Sequence, residues 1–276
     1  MLLALHSLKP TLYKKKYVKT NGTKNYWKST ENIIPTLKEN SMLYETNLEK
    51  ANHIAKNLQS ISKNSNSSKT FKRRKHKFEQ KWLNKTYNKE YCEMDRPFSL
   101  LELQNAIKGT KNNKSPGEDQ ITYEVIKHLP ENGLEYLLHI YNKFWEKGYL
   151  HAGWKSSIVI PIPKAGVDPS NVNSYRPISL ISVLCKLMER LVTSRITWYL
   201  EEKKLLNKEQ TGFRRGKSTT DHLIRLHDSA NKALNNRECT QAVFLDLTKA
   251  FDTLWIAGLL LKLRKLGINN KAYYWI

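Results

Sequence analysis

The run Gln241-Ala-Val-Phe-Leu-Asp-Leu247 constrains the chain more than any other stretch. Val243, Phe244 and Leu245 make an apolar segment of strand length, too short for a helix to be favoured. Asp246 follows directly, and an acid at the end of a buried strand is costly unless it is paired or holds a cation. The spacing therefore predicts a strand over about 241–247 with Asp246 at its C-terminal end. Phe251 comes five residues after the acid and Asp252 next to it, where the chain reads over into a helix carrying Leu254, Leu259 and Leu263 and closed by Gly267. For a lone acid the plain reading, a capping Asp at a strand end, would suffice. Asp252 sits where a helix dipole stabilises a negative charge, and it reads as a structural acid.

Charge narrows the partners. The 276 residues carry 47 Lys or Arg against 25 Asp or Glu, a net +22. Such an excess argues for a polyanion, nucleic acid first and an anionic membrane surface second. No stretch approaches the ~18 apolar residues of a membrane span. Met1 to Leu5 is too short for a secretory core, and its basic cluster, Lys14 to Lys16, lies on the wrong side of it. The expectation is an intracellular protein, nuclear or cytoplasmic and not secreted, with no membrane contact. Cys92, Cys185 and Cys239 stand far apart, with no spacing for a disulfide framework or a zinc knuckle.

The excess charge is uneven. Residues 1–97 hold 21 Lys or Arg against 8 Asp or Glu, which is +13 of the +22. Within them, Ser41 to Ser60 reads as an amphipathic helix with Leu43, Leu48, Ala51, Ala55 and Leu58 along one side. Ser62 to Lys69 is a polar, low-complexity linker. Phe71-Lys-Arg-Arg-Lys-His-Lys77 follows, with Trp82, Tyr87 and Tyr91 beyond it. This is either a basic, aromatic-studded arm for a phosphate backbone (or a nuclear address), or a solvated, partly disordered tail.

From Phe98 the local signals are denser. Ser99-Leu-Leu-Glu102 is a capping box, flanked by Phe98 and Leu103 as a hydrophobic staple, and predicts a helix to Gly109. Pro116-Gly117 marks a turn, Ile121 to Leu129 a short helix closed by Pro130, and Glu131 to Trp145 a helix with a core-facing stripe. Trp154 to Lys164 carries Pro161 and Pro163, which confine it to an edge strand or hairpin arm. Tyr175 to Leu180 is the return, so a hairpin is expected near 156–180. It would present Lys164 and Arg176 as a phosphate clamp, the guanidinium forking onto oxygens and the ammonium adding a point charge. Ser182 to Lys203 is a long helix by pattern. Glu209 to Thr220 combines two glycines with bases and hydroxyls, a loop able to approach a phosphate backbone closely. It is not a P-loop, since three residues rather than four separate Gly212 from Gly216. Ser218 with Asp221 caps a helix to about Leu234, and Asn235-Asn236 turns the chain back.

Four of these blocks, in this order, resemble the reverse transcriptases of non-LTR (jockey-like, LINE-like) retrotransposons. They are Lys114-x-Pro116-Gly117-x-Asp119; Ile160-Pro-Ile-Pro-Lys164 with Tyr175-Arg-Pro-Ile-Ser-Leu180; Gln210-x-Gly212-Phe-Arg214-x-Gly216-Lys-Ser-Thr219; and Asp246 with Ala250-Phe-Asp252. The resemblance spans roughly Phe98 to Ile276. It implies an α/β (α+β) right-hand polymerase, with helical fingers and the opening strand of the palm at 98–276. Residues 1–97 would be a basic, mostly helical or disordered extension. Asp246 would be the catalytic and metal-holding acid, with the Leu247 carbonyl a further ligand for Mg2+ or Mn2+. Lys164 and Arg176 would contact the triphosphate. Phe251 would lie under the sugar as a gate against ribonucleotides, although a core phenylalanine stays open as its other reading. Gln210, Gly212, Phe213, Arg214 and Lys217 would line the template. The implied partners are an RNA template, a DNA primer and deoxynucleoside triphosphates; nothing bears on oligomeric state.

One departure matters. No Asp-Asp dipeptide occurs in the chain, so the family's (Tyr/Phe)-x-Asp-Asp box is absent. The expectation is a polymerase domain truncated before that box and the thumb, binding metal weakly or not at all and inactive by itself. The alternative is a non-catalytic nucleic-acid-binding module derived from a retroelement. An intron maturase or telomerase-like relative would share the fold and matches the Arg176 and Arg214 blocks less well.

Overall fold

The computed structural model describes residues 14–18, 34–61, 68–83, 93–247, 250–269 and 271–276. Most of the Ser62–Lys69 linker, with Tyr87, Tyr91 and Cys92, lies outside these residues, as does the side chain of Trp82. The larger core forms around α6 (Val183–Glu202), whose Val183, Leu187, Met188, Leu191, Ile196 and Leu200 are buried. Against it pack α3 (Leu100–Lys108), α5 (Glu131–Lys147) and α8 (Ile256–Lys265), through residues that include Leu103, Tyr141, Trp145 and Leu263. Short helices α4 (Tyr123–Lys127) and α9 (Lys271–Trp275) complete this side.

The expected hairpin is present as β4 (Ser156–Pro163) and β5 (Tyr175–Leu180), antiparallel from Ile158↔Leu180 to Pro163↔Tyr175. Its register explains how a strand tolerates these prolines. The Lys164 N–H donates to the Ser174 carbonyl at 2.8 Å, so hydrogen-bonded pairs fall at 164/174, 162/176 and 160/178. Pro161 and Pro177 face each other in the intervening non-bonded position, where neither lacks a bond to the other strand. On its other edge β4 pairs in parallel with β1 (Lys14–Val18), from Lys14↔Ser156 to Val18↔Val159.

Residues 34–61 share a second core with this hairpin. Antiparallel β2 (Leu37–Glu39) and β3 (Met42–Tyr44) lead into α1 (Asn47–Ile61), and Leu37, Ile54 and Leu58 pack with Val159, Val172 and Tyr175. The helix expected from Ser41 starts six residues later. Its start is set at Thr46 and Glu49: the Glu49 carboxylate accepts from the Thr46 N–H at 3.0 Å, and the Thr46 hydroxyl accepts from the Glu49 N–H at 3.3 Å. The basic run forms α2 (Lys69–Leu83), packed on α8.

Two capping boxes stand as expected, Ser99 with Glu102 at α3 and Ser218 with Asp221 at α7 (Thr219–Asn235). The strand expected over 241–247 does not. Those residues are irregular, with Val243, Phe244, Leu245 and Leu247 exposed by 73%, 84%, 92% and 78%. A strand keeps its form through the ladder of a neighbour, and no described strand lies beside this segment. Asp246 therefore ends no strand, and the opening strand of the palm is not formed among the described residues. Helix α7 is amphipathic in sequence, yet none of its residues is buried.

Candidate nucleic-acid interface

The hairpin brings Lys164 and Arg176 together. Arg176 is opposite Ile162, and Lys164, two residues further along, falls on the same face as a diagonal neighbour. Arg176 is exposed; Lys164 is half-buried and its Nζ donates to the Asn173 carbonyl at 2.8 Å. The strands fix both Cα positions, which leaves an exposed guanidinium beside an ammonium held against the loop.

The loop between α6 and α7 is built on Arg214. Its Nε and Nη2 donate to the two oxygens of Glu201 at 2.8 and 2.5 Å, while Nη1 donates to the carbonyls of Asn207 and Gln210. These bonds to Glu201 raise the guanidinium pKa further above its ordinary value. Arg214 is thus the loop's clasp, and most of its N–H groups are engaged within the protein. Gln210 Nε2 donates to the Gly212 carbonyl at 3.1 Å. Phe213 takes a left-handed φ of 61° and projects half-exposed, and Gly216 takes 71°, a conformation that favours glycine. Nothing lies within 4 Å of where a Cβ would stand at Gly212 or Gly216, so the backbone is open to close approach there. Lys217 is exposed. Beyond it the Ser218 backbone N–H donates to Asp221 and holds that carboxyl below its usual range.

Asp246 and Leu247 are exposed on the irregular segment, and among the described residues Asp246 has no hydrogen-bond or ion-pair partner. Phe251 is 40% exposed and Asp252 half-buried. No group of three His, Cys, Asp or Glu among the described residues converges as a metal site. A single exposed carboxylate with one carbonyl does not fit a two-metal centre, because magnesium gives up its water reluctantly.

One cluster escaped the sequence reading. Trp255, just before α8, is held by α2: its Nε1 donates to Glu79 at 2.7 Å, and Phe71 and Phe78 meet its ring edge-on at 6.1 and 5.6 Å. Lys75 lies 5.9 Å from the same ring. The signal available was Phe71, Phe78 and Glu79 recurring at helical spacing inside an otherwise basic run.

Residues 162–276 match the family described as reverse transcriptase (RNA-dependent DNA polymerase). The chain is 39% identical over 184 residues to the RNA-directed DNA polymerase from mobile element jockey of Drosophila melanogaster, covering 64% of this chain and 20% of that protein. It is 37% identical over 171 residues to the probable RNA-directed DNA polymerase from transposon BS of the same fly, covering 62% and 19%. A Pol polyprotein from the type-1 retrotransposable element R2 of Popillia japonica is 31% identical over 177 residues, covering 63% and 23%. The chain thus spans about a fifth of the length of the curated relatives it matches.

Proposed function

Given that residues 162–276 belong to the reverse transcriptase family, we propose that this chain carries the fingers and the start of the palm of a non-LTR retrotransposon polymerase that copies RNA into DNA. Residues 98–276 are the polymerase part and 1–97 its basic connector. The observation that carries this reading is the hairpin register, which sets Arg176 and Lys164 on one face, where a triphosphate's oxygens can be met by a guanidinium fork and a point charge. Gln210, Gly212, Phe213 and Lys217 form the template side, with Arg214 holding their loop in shape. The partners are an RNA template, a DNA primer and deoxynucleoside triphosphates. Reverse transcriptases use divalent metal ions; Asp246 is the residue assigned to that task, with magnesium or manganese the proposed ion. A retroelement-derived module that only binds nucleic acid is not favoured, because the similarity runs through the whole of 162–276.

The test grafts residues 98–276 in place of the matching part of the jockey polymerase and follows primer extension on an RNA template. The graft is expected to synthesise DNA. Asp246→Ala should abolish synthesis, and Arg176→Ala should raise the KM for nucleotide. An active Asp246→Ala graft would overturn the catalytic assignment, and an unchanged KM in Arg176→Ala would remove the triphosphate role.

A further inference from the structure

The clasp around Trp255 does more than close a gap between two helices. α2 carries seven Lys or Arg and one acid, Glu79, and that carboxylate is committed to the Trp255 indole N–H. Phe71, Lys75, Phe78 and Glu79 lie on the side that meets Trp255. Lys69, Arg73 and Lys77, spaced four apart, run along the opposite side about 6 Å from one to the next, with Arg74 beside them; all four are exposed. α8 adds Lys262, Arg264 and Lys265 in its last turn and contains no acid. Lys265 reaches over the Phe78 ring at 5.2 Å, so the two basic elements meet across the clasp.

A helix pinned through one side presents the other in a fixed orientation. We propose that the outer face of α2, centred on Lys69, Arg73, Arg74 and Lys77, is a docking surface for the phosphate backbone of a nucleic-acid duplex. Charge complementarity identifies a polyanion. The aromatic content separates a duplex from a single strand: single-strand sites add rings on which bases stack, and here Phe78 and the part-exposed Phe71 pack edge-on to Trp255, away from the side of Lys69, Arg73 and Lys77. Binding through phosphate alone suits a duplex whose bases are already paired, and it reads no sequence. Gly258 makes the clasp possible. A Cβ there would stand 2.3 Å from the Trp255 ring, so only glycine lets the indole lie down over the start of α8.

The experiment measures binding of the 276-residue chain to a short RNA–DNA hybrid duplex, and to its RNA strand alone, by fluorescence anisotropy across a salt series. In K69Q/R73Q/R74Q/K77Q, the slope of log affinity against log salt for the duplex should become shallower by about 3 to 4, at ~0.9 for each phosphate that is no longer neutralised. A variant that removes four exposed lysines elsewhere, K108Q/K111Q/K143Q/K147Q, should change it little. Trp255→Leu keeps every base but releases the helix, and duplex affinity should fall several-fold with the melting profile of the α6 core retained. Equal loss in the two four-site variants would reduce the effect to net charge and overturn the proposal. So would tighter binding of the single strand than of the duplex, or a Trp255→Leu protein with unchanged duplex affinity. No deoxynucleoside triphosphate is present in any arm, so failure here leaves the polymerase reading standing, and failure of synthesis leaves this one standing.

Discussion

Arg195 is buried in α6 and joins that helix to the chain just before α3. Its Nε and Nη2 donate to the two oxygens of Glu102, each at 2.9 Å, and its remaining N–H groups reach the carbonyls of Met94, Arg96 and Pro97. Burial by itself would raise the Glu102 carboxyl; the Arg195 bonds and the Ser99 N–H outweigh it and bring it to about 2, from an ordinary 4.5. A folded value below the unfolded one stabilises the protein fully above about pH 4.5, and that contribution is lost as pH falls towards 2. Glu102→Gln should therefore lower stability at neutral pH by about 2–4 kcal/mol, because it leaves a buried guanidinium without its counter-charge. Thermal unfolding across pH 2 to 7 checks both halves, since the variant should also lose the part of the acid-side slope that Glu102 contributes. Phe251 is a different case. It stands 40% exposed, five residues along the chain from Asp246, as a ring that meets substrate must and a core ring need not. If Phe251 is the sugar gate that the family resemblance implies, Phe251→Ala in the jockey graft should raise ribonucleotide use relative to deoxyribonucleotide, because the gate would work by clash with a 2′-hydroxyl. Unchanged discrimination in a folded graft would return Phe251 to packing.

At the scale of elements, Gly117 shows how the Pro-Gly turn is built into the body. A Cβ on it would stand 2.5 Å from the Ser182 nitrogen and 2.6 Å from the Ile181 carbonyl carbon, both backbone atoms that cannot swing aside. Gly117→Ala should cost about 1–3 kcal/mol by forcing the turn off the junction of β5 and α6. Urea unfolding should show this as a lower midpoint with the slope unchanged. Two helix starts were legible in the sequence because their caps are local, whereas the equally local Thr46–Glu49 cap of α1 was passed over for a start at Ser41. Ser99 with Glu102 and Ser218 with Asp221 satisfy their own backbone donors within three residues, so no distant partner had to be known. The segment 241–247 was misread for the opposite reason. Its apolar run suits a strand, but a strand is a relation between two segments, and no described strand pairs with this one. Hydrogen exchange makes the difference measurable: amides 241–247 should exchange without protection while those of α6 stay protected, and slow exchange at Phe244 and Leu245 would restore the strand.

For the whole molecule, a net +22, of which +13 lies in residues 1–97, predicts nucleic-acid binding that weakens steeply with salt. Neutralising six to ten phosphates would cost roughly 10³–10⁵ in affinity between ~50 and ~200 mM. The 276-residue chain assayed alone should bind and yet not extend a primer, since it contains no Asp-Asp dipeptide and Asp246 has no convergent acids among the described residues. Template-dependent extension with magnesium or manganese would refute this. Among the described residues no helix is long and apolar enough to cross a membrane. Much was readable along the chain: which family the blocks resemble, the hairpin that brings Lys164 and Arg176 to one face, and the caps at Ser99 and Ser218. These follow from residue identity and short spacing, and both are fully written in the order of the residues. Folding in three dimensions was needed to settle that residues 34–61 share a core with the hairpin, that Arg214 spends most of its donors on Glu201 and its own loop, and that Trp255 turns one side of a basic helix inward. Each of these depends on which distant surface fills a space or satisfies a donor, and such a pairing is fixed only when the segments meet.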